Sequence, residues 1–151
     1  MKKQFFGKIM LGFALIALLS MTSTVAFAAR VPFKGSANAE IIGVVPGPTG
    51  VSMTAVGEGN ATHLGKFTRE EHLLLNPETG AFTGGVVFTA ADGSQLTATL
   101  TGSFTTATSA LGSYSFTGGT GRFADTTGNA DFSAVLSDAV HFTVEFDGNF
   151  D

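Results

Sequence analysis

The sequence contains no cysteine and no tryptophan, and it has only one tyrosine and four prolines among its 151 residues. Without cysteine, the chain can form neither a disulfide bond, nor a thiolate metal site, nor a thiol-based active site. Charged residues make up only 13% of the chain, and acidic residues outnumber basic ones by 12 to 8. We therefore expect no nucleic-acid partner, because binding to phosphates requires clustered lysine and arginine side chains.

The first 28 residues have the order of a secretory signal peptide. Three lysines lie within the first eight residues, the apolar run 9–19 follows, and a small-residue A-x-A pattern ends at Ala28. This order predicts cleavage after Ala28 and export to the periplasm or the cell exterior, with 29–151 as a single domain. An uncleaved membrane anchor is the alternative, but 9–19 is shorter than the ~20 apolar residues that a spanning helix needs. After cleavage we expect no membrane span.

The remainder of the chain has the composition and the periodicity of β-strands. It is rich in Gly, Thr, Phe and Val, and apolar residues alternate with threonine and serine in 95–104. Such alternation predicts strands with one buried face. The same two-residue period recurs in 33–41, 51–55, 82–90, 130–136 and 142–150.

Turn sequences separate these runs and predict about eight antiparallel strands. Examples are Asn76–Gly80 and the Asp92-Gly93 pair, which place Gly where φ must be positive. Regularly spaced strands of this kind form a sandwich or a barrel. We favour a closed or nearly closed barrel, because closure hides the sheet edges and the inward faces mix small and large residues. An outer-membrane barrel is disfavoured, because the chain lacks aromatic girdles of Tyr and Trp.

A glycine-rich segment, FTGGTGRFADTTG at 116–128, resembles a hairpin of the allene oxide cyclase and dirigent barrels. In those families a strand runs into GG-[ST]-G-x-F, and a later Gly opens the next strand. The matching positions here are Gly118, Gly119, Thr120, Gly121, Phe123 and Gly128. The glycines permit positive φ and a sharp re-entry of the chain. We expect Phe123 to plug the barrel end and Arg122 to point to solvent or to a nearby carboxylate.

This resemblance implies an eight-stranded barrel with a cavity for an apolar small molecule. It also implies guidance of a reactive intermediate, as in a cyclase or isomerase, without a cofactor, and it is compatible with a homo-oligomer. The family's catalytic residues lie outside the matching segment, so none is transferred to this chain. The inward-facing residues that we expect to line such a cavity are Phe88, Leu100, Phe104, Phe132, Phe142, Val144 and Phe146.

Few polar residues are candidates for chemistry. For a catalytic role inside the barrel, Glu40, His63 and Tyr114 are the first residues to consider. Glu70 and His72 share one strand face, but without metal-ligand spacing the run of charges at 69–72 is interpreted as a solvated strand or loop. No metal site, cofactor site or hydrolase triad is predicted from the sequence.

Three functions remain open from the sequence alone. The first is an exported, non-catalytic barrel that binds a hydrophobic small molecule. The second is a cofactor-free cyclase or isomerase, which requires a polar residue buried in the cavity. The third is a structural or partner-binding domain whose interior is filled and has no pocket. Whether the protein is an enzyme is therefore undecided at this level.

Overall fold

The computed structural model describes residues 29–151, so the predicted signal peptide, 1–28, lies outside the described residues. Eight strands and one short 3-10 helix, Gly121–Phe123, make up the described chain. The strands are β1 (Val31–Gly47), β2 (Gly50–Ala61), β3 (Gly65–Leu75), β4 (Ala81–Ala90), β5 (Gln95–Phe104), β6 (Ser109–Gly119), β7 (Thr127–Leu136) and β8 (His141–Phe150).

Each strand pairs with its neighbours in sequence, and the sheet closes on itself between β1 and β8. Every pairing is antiparallel, from Val31 opposite Phe150 to Glu40 opposite His141 across the closing seam. The prediction of an eight-stranded antiparallel barrel is therefore confirmed, and the sandwich alternative is wrong. Closure pairs both edges of the sheet, which an open sheet leaves exposed to other chains.

The interior is filled mainly by phenylalanine, and glycine makes room for the rings. A Cβ atom on Gly102 would lie 2.6 Å from the Phe82 ring, and one on Gly112 would lie even closer to the Phe132 ring. Both distances are shorter than van der Waals contact, so a larger residue at either glycine would displace an aromatic ring. The alternation of small and large inward residues thus reflects direct size complementarity between neighbouring strands.

One end of the barrel is closed by the connection between β6 and β7. Phe123, in the 3-10 helix of this connection, is buried, and its ring centroid lies 6.4 Å from that of Phe150. Three glycines of the predicted hairpin, Gly118, Gly121 and Gly128, have φ values of +105°, +58° and +135°, which favour glycine. The structure therefore places Phe123 as the plug that the sequence predicts.

Arg122 joins three connections at this closed end. Its Nε atom donates to Oδ2 of Asp92 at 3.0 Å, in the turn between β4 and β5. Its Nη1 and Nη2 atoms donate to the backbone carbonyls of His63 and Leu64, in the turn between β2 and β3. The backbone N–H of Ser94 and, to a smaller extent, the Arg122 side chain donate to the Asp92 carboxylate and lower its pKa.

Candidate functional site

A cavity of about 60 Å³ lies in the other half of the barrel. Its base is formed by buried residues, and its outer lining residues, such as Met53 and Phe142, are half-buried. The cavity therefore extends toward the open end of the barrel. This is the end at which the β1–β2, β3–β4, β5–β6 and β7–β8 hairpins turn. The lining residues are Ile41, Met53, Ala55, Arg69, Glu71, Leu73, Leu75, Phe82, Leu100, Phe104, Ala110, Tyr114, Phe132, Ala134, Leu136, Phe142 and Val144.

Three polar side chains interrupt this apolar lining. Arg69 and Glu71 are each only 4% exposed, and Tyr114 is 1% exposed. Arg69 and Glu71 lie on β3, whereas Tyr114 lies on β6, on the other side of the barrel. They meet in the interior because β3 alternates, with Phe67 and Leu73 on the same inward face as the charged pair.

The Arg69 guanidinium donates from Nη2 to Oε2 of Glu71, which forms a buried salt bridge. The guanidinium carbon also lies 5.6 Å from the ring centroid of Phe88 and 6.0 Å from that of Tyr114. Burial works against the charged form of Arg69, but Tyr114 and Glu71 outweigh it and raise the pKa of Arg69. Arg69 is therefore a fixed positive charge inside the barrel, balanced by the adjacent carboxylate.

Two further donors of Arg69 lack an acceptor. Nε and Nη1 are buried, and neither atom makes a hydrogen bond within the described chain. An unpaired buried donor costs about 1–3 kcal/mol, and more when the group is charged. The base of the cavity therefore presents a cation with unused hydrogen-bonding capacity.

Tyr114 is held among aromatic rings beside this pair. Its ring stacks on Phe132 at a centroid distance of 4.6 Å and meets Phe88 edge-on at 5.7 Å. Burial raises the pKa of Tyr114; Arg69 opposes this shift and Glu71 adds to it. The phenol is therefore protonated under ordinary conditions.

The three candidate catalytic residues from the sequence lie in different places. Tyr114 lines the cavity, whereas Glu40 is exposed on the outer face of β1. His63 is exposed in the β2–β3 turn at the closed end, with a φ of +61°. Glu40 and His63 therefore lie outside the cavity, and a role for either residue inside the barrel has no geometric support.

Most of the expected lining residues surround the cavity. Leu100, Phe104, Phe132, Phe142 and Val144 line it. Phe88 and Phe146 do not, since both are buried in the packed core, where their ring centroids lie 6.0 Å apart. The expectation for these two residues is corrected because closely packed aromatic rings fill the closed half of the barrel.

The interpretation of 69–72 as a solvated segment is correct for only half of its residues. Glu70 and His72 are exposed, and their side chains lie 3.1 Å apart. Arg69 and Glu71 point inward, and the sequence analysis missed them as site residues. The signal was present in the two-residue period of β3, in which Arg69 and Glu71 share a face with Phe67, Leu73 and Leu75.

No protein-family model matches this sequence, and no curated protein matches it either. The resemblance to the allene oxide cyclase and dirigent barrels therefore rests on the glycine-rich hairpin and stays a prediction. Within residues 29–151, no helix is long and apolar enough to cross a membrane. Across that same range, no three His, Asp or Glu side chains are grouped in a way that could hold a metal ion.

The buried pair predicts a strong asymmetry between single and double substitutions. Arg69→Met leaves the Glu71 carboxylate buried without its partner and is expected to lower the free energy of unfolding by about 3–5 kcal/mol. The double variant Arg69→Met/Glu71→Met removes both charges and should be close to wild type or more stable. Urea unfolding at neutral pH measures both, with Arg122→Met at the closed end as the control. Equal losses in the single and double variants would contradict the buried pair.

Tyr114 allows a test of burial by titration, because the chain has no other tyrosine and no tryptophan. Phenolate absorbance in the folded protein should appear at a higher pH than in urea, where it should appear near the usual value of 10.0. Because the folded pKa is raised, the neutral phenol contributes stability that is complete below the unfolded pKa. That contribution is lost as the pH rises through the folded pKa. Tyr114→Phe is the control, and identical folded and unfolded titrations would show that Tyr114 is not buried.

Proposed function

We propose that this protein binds a small hydrophobic molecule in the cavity at the open end of its barrel. The observation that carries the proposal is an apolar lining that reaches the open end and has three buried polar side chains at its base. Apolar pockets with a few convergent polar groups are typical of small-molecule sites, in which the polar groups fix the orientation of the ligand. The cavity is small, so a ligand would place one end inside it and rest the remainder against the half-buried residues of the open end.

Export of the protein from the cytoplasm is part of this proposal. The signal-peptide order of the first 28 residues supports a location outside the cytoplasm, where the barrel would carry or sequester its ligand. The resemblance to the allene oxide cyclase and dirigent barrels supports the same ligand class. A domain whose interior is completely filled, the third hypothesis from the sequence, is less well supported because a cavity with a polar base remains.

Native mass spectrometry of the protein purified from its own host tests the proposal most directly, because it reports both the subunit count and any retained small molecule. Wild type should carry a retained apolar mass. Ala134→Leu, which adds volume to the half-buried cavity lining, should lose at least about tenfold in occupancy because the added methyl groups overlap the ligand. The matched control is Ala139→Leu in the exposed β7–β8 turn. A repeatedly ligand-free wild type, or equal occupancy in both variants, would contradict binding in the cavity.

A second candidate function is a cofactor-free cyclase or isomerase, and burial of the polar base favours it. Among the cavity-lining residues, only Glu71 and Tyr114 have side chains of the types that act as general acids or bases. They lie beside the fixed charge of Arg69, which could stabilise developing negative charge on a bound molecule.

Conversion of the molecule retained by the protein distinguishes catalysis from binding. If Glu71 moves a proton, Glu71→Gln should still bind the molecule, since the amide oxygen can accept from Arg69, but turnover should fall by about 100-fold or more. Chromatography with mass detection of the molecule before and after incubation measures this difference. Unchanged conversion by Glu71→Gln would remove Glu71 from the reaction, and no conversion by wild type would leave binding as the function.

A further inference from the structure

The chemical class of the ligand follows from the unused donors of Arg69. The guanidinium has five N–H donors, and Glu71 engages only Nη2. Nε and Nη1 are buried and have no acceptor from the described chain. A molecule that enters the cavity and reaches its base is therefore favoured when it brings an oxygen acceptor to Arg69, because the acceptor satisfies donors that are otherwise unpaired.

The other residues that line the cavity restrict the polarity of the rest of the ligand. Apart from Arg69, Glu71 and Tyr114, every residue that lines the cavity is apolar. A second strongly polar group on the ligand would lose its hydration against these side chains without gaining a partner. A single oxygen function at one end of an apolar body matches the distribution of polar atoms in the cavity.

Charge balance then decides between an anionic and a neutral oxygen. The positive charge of Arg69 is already neutralised by Glu71, and both side chains are almost completely buried. A carboxylate ligand would add a second negative charge beside Glu71 in a site with little solvent to screen it. A carbonyl oxygen would accept the same hydrogen bond without changing the net charge, and the protonated Tyr114 phenol lies in the same lining as a further donor.

We propose that the ligand is a neutral, largely apolar molecule whose carbonyl oxygen accepts a hydrogen bond from Arg69. This inference rests on the proposed function, because it concerns the same cavity, and it specifies the substrate class of that cavity. The competing occupant of the Arg69 donors is buried water, which commonly satisfies polar groups in cavities that can hold it. If water alone served these donors, an oxygen on the ligand would add no affinity.

Three six-carbon probes, hexane, 2-hexanone and hexanoate, distinguish a carbonyl ligand from an anionic ligand and from buried water at the Arg69 donors. Their dissociation constants are measured from nitrogen-15 NMR shifts of the protein purified from its own host and freed of any retained molecule. A hydrogen bond to a charged donor predicts that 2-hexanone binds about tenfold or more tightly than hexane. Hexanoate should bind more weakly than 2-hexanone at neutral pH, because its charge lies beside Glu71.

Two variants test whether the preference for 2-hexanone over hexane depends on the buried pair of Arg69 and Glu71. In Arg69→Met/Glu71→Met the cavity base is apolar, so the preference for 2-hexanone over hexane should disappear while hexane still binds. The matched control is Arg122→Met, which changes an arginine at the closed end and should keep the preference of wild type. Retention of the preference in the double variant would overturn the assignment to Arg69.

The remaining outcomes separate this inference from the proposed function. Failure of all three probes to shift the cavity residues would contradict binding in the cavity itself. Equal affinities for hexane and 2-hexanone would contradict only the carbonyl acceptor and would assign the Arg69 donors to water. Tighter binding of hexanoate than of 2-hexanone would overturn the neutral class and show that Glu71 does not oppose an anion.

Discussion

Ring closure is the constraint on which the rest of this structure depends. Once β1 pairs with β8 as well as with β2, the width of the barrel is set by the strand number and stagger, and the interior has a limited volume. An eight-stranded barrel is just wide enough for its own side chains to fill. Some large residues must then face small ones, which is why Phe82 lies over Gly102 and Phe132 over Gly112. An internal cavity can therefore lie only where the inward side chains of neighbouring strands no longer fill the barrel.

The two ends of the barrel differ because their connections differ. Three turns at one end are joined by Arg122, and the connection between β6 and β7 is long enough to insert Phe123 as a plug. The four connections at the opposite end are hairpin turns, and half-buried side chains such as Met53 and Phe142 surround the cavity there. The ligand site that we propose therefore lies at the end without a plug, since an insertion at the closed end would require Phe123 and Arg122 to move.

The sequence allowed the fold to be predicted well because the fold depends on local signals. Alternation along β5 and β8 and the glycines of 116–128 are features of neighbouring residues, and each retains its meaning in the folded chain. The candidate site was predicted only in part. Tyr114 and five apolar lining residues were identified, whereas Arg69 and Glu71 were interpreted as solvated because the run of charges at 69–72 masked the inward period of β3.

Other features could not be predicted from a local pattern. The contacts of Arg122 with His63 and Leu64 join residues almost sixty positions apart, and they tie two connections together at the closed end. A sequence pattern specifies the face of a strand, whereas the pairing of distant elements specifies which side chains share a space.

The buried pair of Arg69 and Glu71 is difficult to explain by stability. Removing two charges from water costs more than a surface ion pair returns, and apolar residues of similar volume often give an equally stable or more stable core. The surrounding barrel shows that apolar filling is available, since closely packed phenylalanine rings occupy the closed half. Moreover, the pair leaves two donors of Arg69 without a protein acceptor, so it does not even complete its own hydrogen bonding. A group that is costly to bury and incompletely satisfied by the protein is most simply explained by what it offers to a bound molecule. On this argument the polar base serves the proposed binding of a ligand, whereas the packed aromatic rings of the closed half serve the stability of the barrel.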